Sequence, residues 1–185
     1  MKKQIVISVL SKDRPGIIAD IANIIYELKG DLADMSQSVL NGFFSMIILA
    51  NFDAELSIEE ISKKMDSIST ESDLTCIVKE TVDFGAVPTS NITGDIYVVT
   101  AQGKNRTGLV AAIGSYCKKQ NINIIGYVTK LNDDTYSMML DIVIPDNLSA
   151  DSVHDDLAEV GGDLGLSIVM QHKSLFETVN EISLR

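Results

Sequence analysis

Apolar positions along this chain change their spacing in a fixed order, and the order occurs twice. Residues 4–10, QIVISVL, are a run of β-formers, after which Ile17, Ile18, Ile21, Ile24, Ile25 and Leu28 recur at the spacing of one helix face. Beyond Gly30, residues 32–40 and 43–52 predict two strands around Asn41-Gly42, a pair that tolerates the positive φ angles of a two-residue hairpin turn. Ser57 then precedes a helix with Ile58, Ile61, Met65 and Ile68 inward, and Glu60 three residues on completes a capping box. Residues 74–81 give the last strand. The second pass predicts a strand at 96–102, a helix at 107–120, strands at 122–132 and 135–144 around Asp133-Asp134, a helix at 149–161 and a strand at 164–173.

Sliding the sequence against itself by 92 positions aligns residues 5–81 with 97–173 without a gap. Eleven identities fall on that register, among them Lys12/Lys104, Arg14/Arg106, Gly16/Gly108, Ser45/Ser137 and Met46/Met138. Gapless spacing over that length predicts two copies of one domain, at 1–82 and 95–173. Between them 83–94 has the Gly, Pro and Ser punctuation of a linker, and 174–185 is left as a C-terminal tail. Each copy reads βαββαβ, and two right-handed crossovers place both helices on one face of a four-stranded antiparallel sheet. The predicted class is α+β, two ferredoxin-like domains in tandem.

Charge narrows the partners. The 26 acidic and 15 basic side chains of the 185 residues leave a formal charge of −11, divided as −6 before residue 93 and −5 after it. Such a field repels polyphosphate, so direct contact with nucleic acid or an anionic membrane is not expected. The apolar run at 5–10 is broken by Ser8 and too short for a signal peptide, and no segment approaches the roughly 18 apolar residues of a membrane helix. A cytoplasmic protein is expected. Cys76 and Cys117 lack the spacing of a redox or zinc motif and read as small core residues. His154 and His172 read as surface residues with no nucleophile beside them, and Asp151, Asp155, Asp156 and Glu159 as the solvated side of a helix. No catalytic residue, metal site or cofactor is expected.

The turn between the first strand and first helix, SKDRPGIIA at 11–19, returns as GKNRTGLVA at 103–111. Asp13 is placed to accept hydrogen bonds from the open amides of the helix, and Pro15 to supply a fixed φ for its first turn. The second copy exchanges Pro15 for Thr107 but keeps Arg106 and Gly108, which helix initiation does not require. Amides at a helix N-terminus with no Cβ across them suit a small carboxylate.

A strand followed by Asp-Arg-Pro-Gly-Ile-Ile-Ala within a βαββαβ unit resembles the ACT domain, and two such units filling the chain are similar to the glycine cleavage system transcriptional repressor family. Asp13, Arg14, Pro15 and Gly16 match the ACT motif, as do Asn105, Arg106 and Gly108, whereas Thr107 departs from it. The resemblance implies regulatory binding of amino acids at domain interfaces, without catalysis. It implies a small amino acid such as glycine or serine as ligand, a regulator protein as partner, and a homodimer.

Beside Asp13, Arg14, Pro15, Gly16 and Ile17, the strand after the first helix offers Asp34, Ser36 and Ser38 on one face. These are either acceptors for a ligand ammonium or solvated residues of an open sheet face. Their counterparts Gly126, Val128 and Lys130 cannot accept, so the first copy is expected to hold the better site. On the strand at 43–52, Phe43, Ile47 and Leu49 point away from the helix-covered face, where the second copy has Thr135, Met139 and Asp141. The first sheet is therefore expected to meet another domain or subunit, or to be covered by the tail with its Leu175, Phe176, Val179 and Ile182. The tail's pattern does not choose between a short helix and an extra edge strand.

Overall fold

A computed structural model describes residues 2–81 and 94–181, without the side chains of 69–72 and 179–181. The predicted linker at 83–94 lies outside the described residues, except for Gly94, which opens a strand. The chain divides into two units, residues 1–85 and 86–185.

The first unit runs β1 (Lys2–Lys12), α1 (Ile17–Glu27), β2 (Asp31–Leu40), β3 (Phe43–Asp53), α2 (Ile58–Ser72) and β4 (Leu74–Glu80). The second runs β5 (Gly94–Lys104), α3 (Leu109–Lys119), β6 (Asn123–Asn132), β7 (Thr135–Pro145), α4 (Ala150–Asp163) and β8 (Leu166–His172), then adds α5 (Lys173–Glu181). Both sheets are antiparallel, in the orders β2-β3-β1-β4 and β6-β7-β5-β8. This is the ferredoxin-like plan in tandem, with the two helices of each unit on one sheet face.

The spacing of 92 holds at the level of the backbone. Positive φ recurs at Lys29 and Asn121, at Asn41 and Asp133, and at Asp73 and Gly165. Asn41 and Gly42 take φ of 50° and 79°, as a two-residue hairpin turn requires. The capping box also forms: Ser57 Oγ accepts from the Glu60 amide at 3.1 Å, and Glu60 Oε2 accepts from the Ser57 amide at 2.9 Å. Ser149, its counterpart, makes no side-chain cap.

One core fills each unit. In the first, Ile5, Ile7 and Val9 of β1 and Phe44, Met46 and Ile48 of β3 meet Ile17, Ile21, Ile24 and Ile25 of α1 and Ile61 and Met65 of α2. Ile18 departs from the expectation that it joins this face. It stands one residue off the Ile17–Ile21–Ile24 stripe and is 41% exposed.

The tail forms a helix, and residues 182–185 lie outside the described residues. Packed on β5 and β8, α5 is held by an ion pair from Lys173 Nζ to Asp141 Oδ2 at 2.9 Å. Val98 and Val143, on the side of this sheet away from α3 and α4, are each only 3% exposed. The helix thus covers part of the open face of its own sheet. No helix among the described residues is long and apolar enough to cross a membrane.

Candidate functional site

The β1–α1 turn is pinned to the hairpin tip beside it, because the Asp13 amide donates to Gly42 O at 2.8 Å. The second unit repeats the contact from the Asn105 amide to Asp134 O at 3.0 Å. In neither turn does Asp13 or its counterpart cap the helix, contrary to the expectation from sequence. The N-cap is Gly16, with φ 95° and ψ −10°, and no side chain caps α1. Gly108 does the same for α3 at φ 96° and ψ −3°. Pro15 accordingly lies before the cap, outside the first helical turn. Glycine is required at both N-caps because an L side chain pays in backbone strain at such φ values.

This arrangement leaves donors open. The first amide of α1 with an intrahelical acceptor is that of Asp20, bonded to Gly16 O at 2.9 Å. The amides of Ile17, Ile18 and Ala19 find no acceptor among the described residues. They border a groove of about 630 Å³ lined by Asp13 to Ala19, by Gln37 and Val39 of β2, and by Phe44 of β3. Ile17 and Phe44 are buried and form its floor, while Ile18 and Val39 are exposed walls. Arg14 folds back along the rim, donating from Nη1 to Pro15 O at 3.1 Å and from Nη2 to Asp20 Oδ2 at 2.8 Å.

Five of the expected residues, Asp13, Arg14, Pro15, Gly16 and Ile17, therefore line one groove. Asp34 and Ser36 do not join them. They pair with Leu49 and Ile47 across β2–β3, and so project from the sheet face opposite α1. Asp34 there accepts from the Met35 amide at 2.8 Å. Gln37 and Val39, the β2 residues that do reach the groove, were missed. Their signal was available: a two-residue turn pairs Leu40 with Phe43, which puts Val39 beside Phe44 and Ser36 beside Ile47.

Around the second turn, Asn105, Arg106 and Gly108 keep the backbone of the first, but the side chains differ. Ala112 stands at the position of Asp20, and among the described residues Arg106 makes no ion pair. The positions of Gln37, Val39 and Phe44 are taken by Thr129, Leu131 and Tyr136. The Tyr136 and Tyr127 hydroxyls lie 3.3 Å apart, and burial, aided by this contact, pushes the Tyr127 phenol up.

Open amides and an arginine at one rim are hydrogen-bond donors of the kind that suit a carboxylate, and the carboxamide of Gln37 and the apolar Ile17 and Phe44 line the same groove. The expected surface histidines are occupied elsewhere: His154 Nδ1 lies 3.2 Å from Asp155 Oδ1, and His172 Nδ1 lies 2.7 Å from Ser174 Oγ. Of the acidic residues on α4, Asp156 accepts from the Tyr116 hydroxyl at 3.0 Å.

Comparison with known proteins bears on the fold and the family. Residues 3–79 match the family model described as ACT domain. A UPF0237 protein of Clostridium acetobutylicum is 37% identical over 68 residues, which is 37% of this chain and 70% of that protein. A protein of unknown function from Galdieria sulphuraria superposes with a TM-score of 0.75 at 20% identity, over 93% of this chain and 99% of its own. A structure assigned as a glycine cleavage system transcriptional repressor superposes with a TM-score of 0.64 at 14% identity, over 94% and 99%. The two structures share the tandem fold, and the sequence match carries the kinship: the chain belongs to the ACT-domain family.

Proposed function

We propose that this protein is a non-catalytic regulator that binds a small amino acid in the groove at the β1–α1 turn and transmits its occupancy through contacts with protein. One observation carries the reading: the unpartnered amides of Ile17, Ile18 and Ala19 open onto a groove that also holds Arg14 and Gln37. The α-carboxylate docks on the amides, Gln37 and the Asp13 carboxylate face the ammonium, and the apolar floor of Ile17 and Phe44 admits a short side chain. Glycine and serine fit these limits. The charge of −11 supports action through a partner protein rather than on nucleic acid.

A thermal-shift screen against the twenty amino acids tests this, because a ligand that binds only the folded state stabilises it by about 1.4 kcal/mol at ten times its Kd. Glycine or serine is expected to raise the midpoint, and Arg14→Gln to remove the effect. A flat response to all twenty at millimolar concentration refutes the reading. Accumulation of a chemically altered product from any of them refutes its non-catalytic part.

A further inference from the structure

Another cavity lies in the second unit, at the end of its sheet away from the β5–α3 turn. It has a volume of about 220 Å³ and is lined by Asp95 and Tyr97 of β5, by Ile144 and Pro145 of β7, and by Asp146 and Ala150 on the way into α4. We propose that this cavity is a binding site for a small primary amine in its ammonium form. The proposal is independent of the amino-acid groove, which belongs to the first unit.

The first unit is an internal control for how the cavity arises. Ile144 and Ala150 stand where that unit has Phe52 and Ile58, both larger, and Phe52 is 1% exposed within its core. The smaller pair leaves open a region that close packing fills in the other copy. The polar walls differ in the same place. Asp95 stands at the position of Lys3 and Asp146 at that of Ala54, so a site that carries one cation in the first unit carries two carboxylates in the second.

Neither the Asp95 nor the Asp146 carboxylate makes an ion pair or a hydrogen bond among the described residues. Two like charges on one cavity repel each other, and here no cation among the described residues relieves them. An ammonium group does, because its three N–H donors can serve both carboxylates while its charge offsets theirs. Both residues are exposed, so a ligand reaches them directly from solvent. Its alkyl body then meets Ile144, Leu148 and the ring of Tyr97, an aromatic wall that also attracts a cation. Tyr97 is held in place by His172, the ring centroids lying 5.2 Å apart with the planes at 87°. A metal ion is a poorer occupant, since no third acidic, histidine or cysteine ligand joins the pair among the described residues. The same carboxylates repel an anion.

Calorimetric titration of the full chain with n-butylammonium chloride at low ionic strength tests the proposal, with n-butanol as the uncharged probe of the same length. The amine is expected to bind at one site per chain, and the alcohol not to bind. Asp95→Asn and Asp146→Asn each remove a charge-assisted hydrogen bond and are expected to raise the Kd about 10-fold. Ile144→Phe, which puts the side chain of Phe52 into the cavity, is expected to abolish binding in a chain that circular dichroism shows to be folded. The two Asn variants alter only exposed residues and carry the test alone where Ile144→Phe unfolds the unit. Arg14→Gln, which disables the groove of the first unit, is expected to leave the amine affinity unchanged, so the failure of either site shows separately. No heat from the amine at about 10 mM, an equal response to butanol, or an affinity indifferent to both Asn variants overturns the proposal. Tighter binding of Nα-acetyl-lysinamide, which carries the same butylammonium chain on a peptide unit, overturns the free amine as occupant.

Discussion

Replacing Gly16 by alanine isolates the backbone cost of the β1–α1 turn. At φ 95° and ψ −10° an L-residue is strained, and the penalty is on the order of 1–2 kcal/mol. No clash adds to it, since a Cβ at Gly16 would meet only Arg14 Nη1 at 3.6 Å, and one at Gly108 would meet nothing within 4 Å. With the same φ and open space in both, Gly16→Ala and Gly108→Ala are expected to destabilise their own units equally. A loss of about 1 kcal/mol corresponds to roughly 4–8 °C in the midpoint of a unit this size. Four of the five tyrosines, Tyr97, Tyr116, Tyr127 and Tyr136, belong to the second unit, so tyrosine fluorescence reports mainly its melting. Circular dichroism reports both units. Gly108→Ala should therefore shift the fluorescence transition, and Gly16→Ala only the dichroism. A Gly16→Ala chain with unshifted transitions would show that the turn relaxes without strain. Losses that differ by more than ~1 kcal/mol would show that side-chain contacts, not φ, set the cost.

Two further outcomes follow from named contacts. The Ser57 amide and hydroxyl hold the Glu60 carboxyl below its ordinary value of 4.5. A lowered folded value means that the capping box stabilises the first unit fully above the unfolded pKa and loses that contribution as pH falls through the folded one. Glu60→Gln, which can still accept from the Ser57 amide, should flatten the acid limb of stability below about pH 5; an unchanged limb rejects the linkage. Asp20→Asn removes the carboxylate that holds Arg14 Nη2 at 2.8 Å and should tighten binding of a carboxylate ligand in calorimetry. Weaker binding would instead make Asp20 a direct partner of the ligand ammonium.

What was legible in the sequence follows from which features the backbone alone imposes. The repeat spacing, the Asn41-Gly42 turn and the Ser57–Glu60 box are local, and each appears where its residues predict it. The N-cap was misjudged for a physical reason. Asp13 has the chemistry of a cap, but its own amide is engaged by Gly42 O, and the chain needs Pro15 and a left-handed Gly16 before the helix can begin. Asp34 and Ser36 were assigned to the groove from alternation alone, which gives a shared face without saying which face. Only the pairing with β3 decides that, and it puts them beside Leu49 and Ile47. The tail could not be read locally, because the ion pair that holds its helix is made to Asp141, far from it in the chain.

The two units therefore share a backbone and differ in how their exposed chemistry is spent. In the first, Arg14 is tied to Asp20 at the groove, while Asp34 and Lys79 on the open sheet make no ion pair among the described residues. In the second, Ala112 leaves Arg106 without an ion-pair partner among the described residues, while Asp141, at the position of Leu49, holds Lys173 and the helix that follows it. Substitutions at so few positions invert which face is committed. A duplicated domain can diverge in this way because its fold rests on glycines, turns and buried aliphatics, whereas surface charges away from such features can change at little cost to stability.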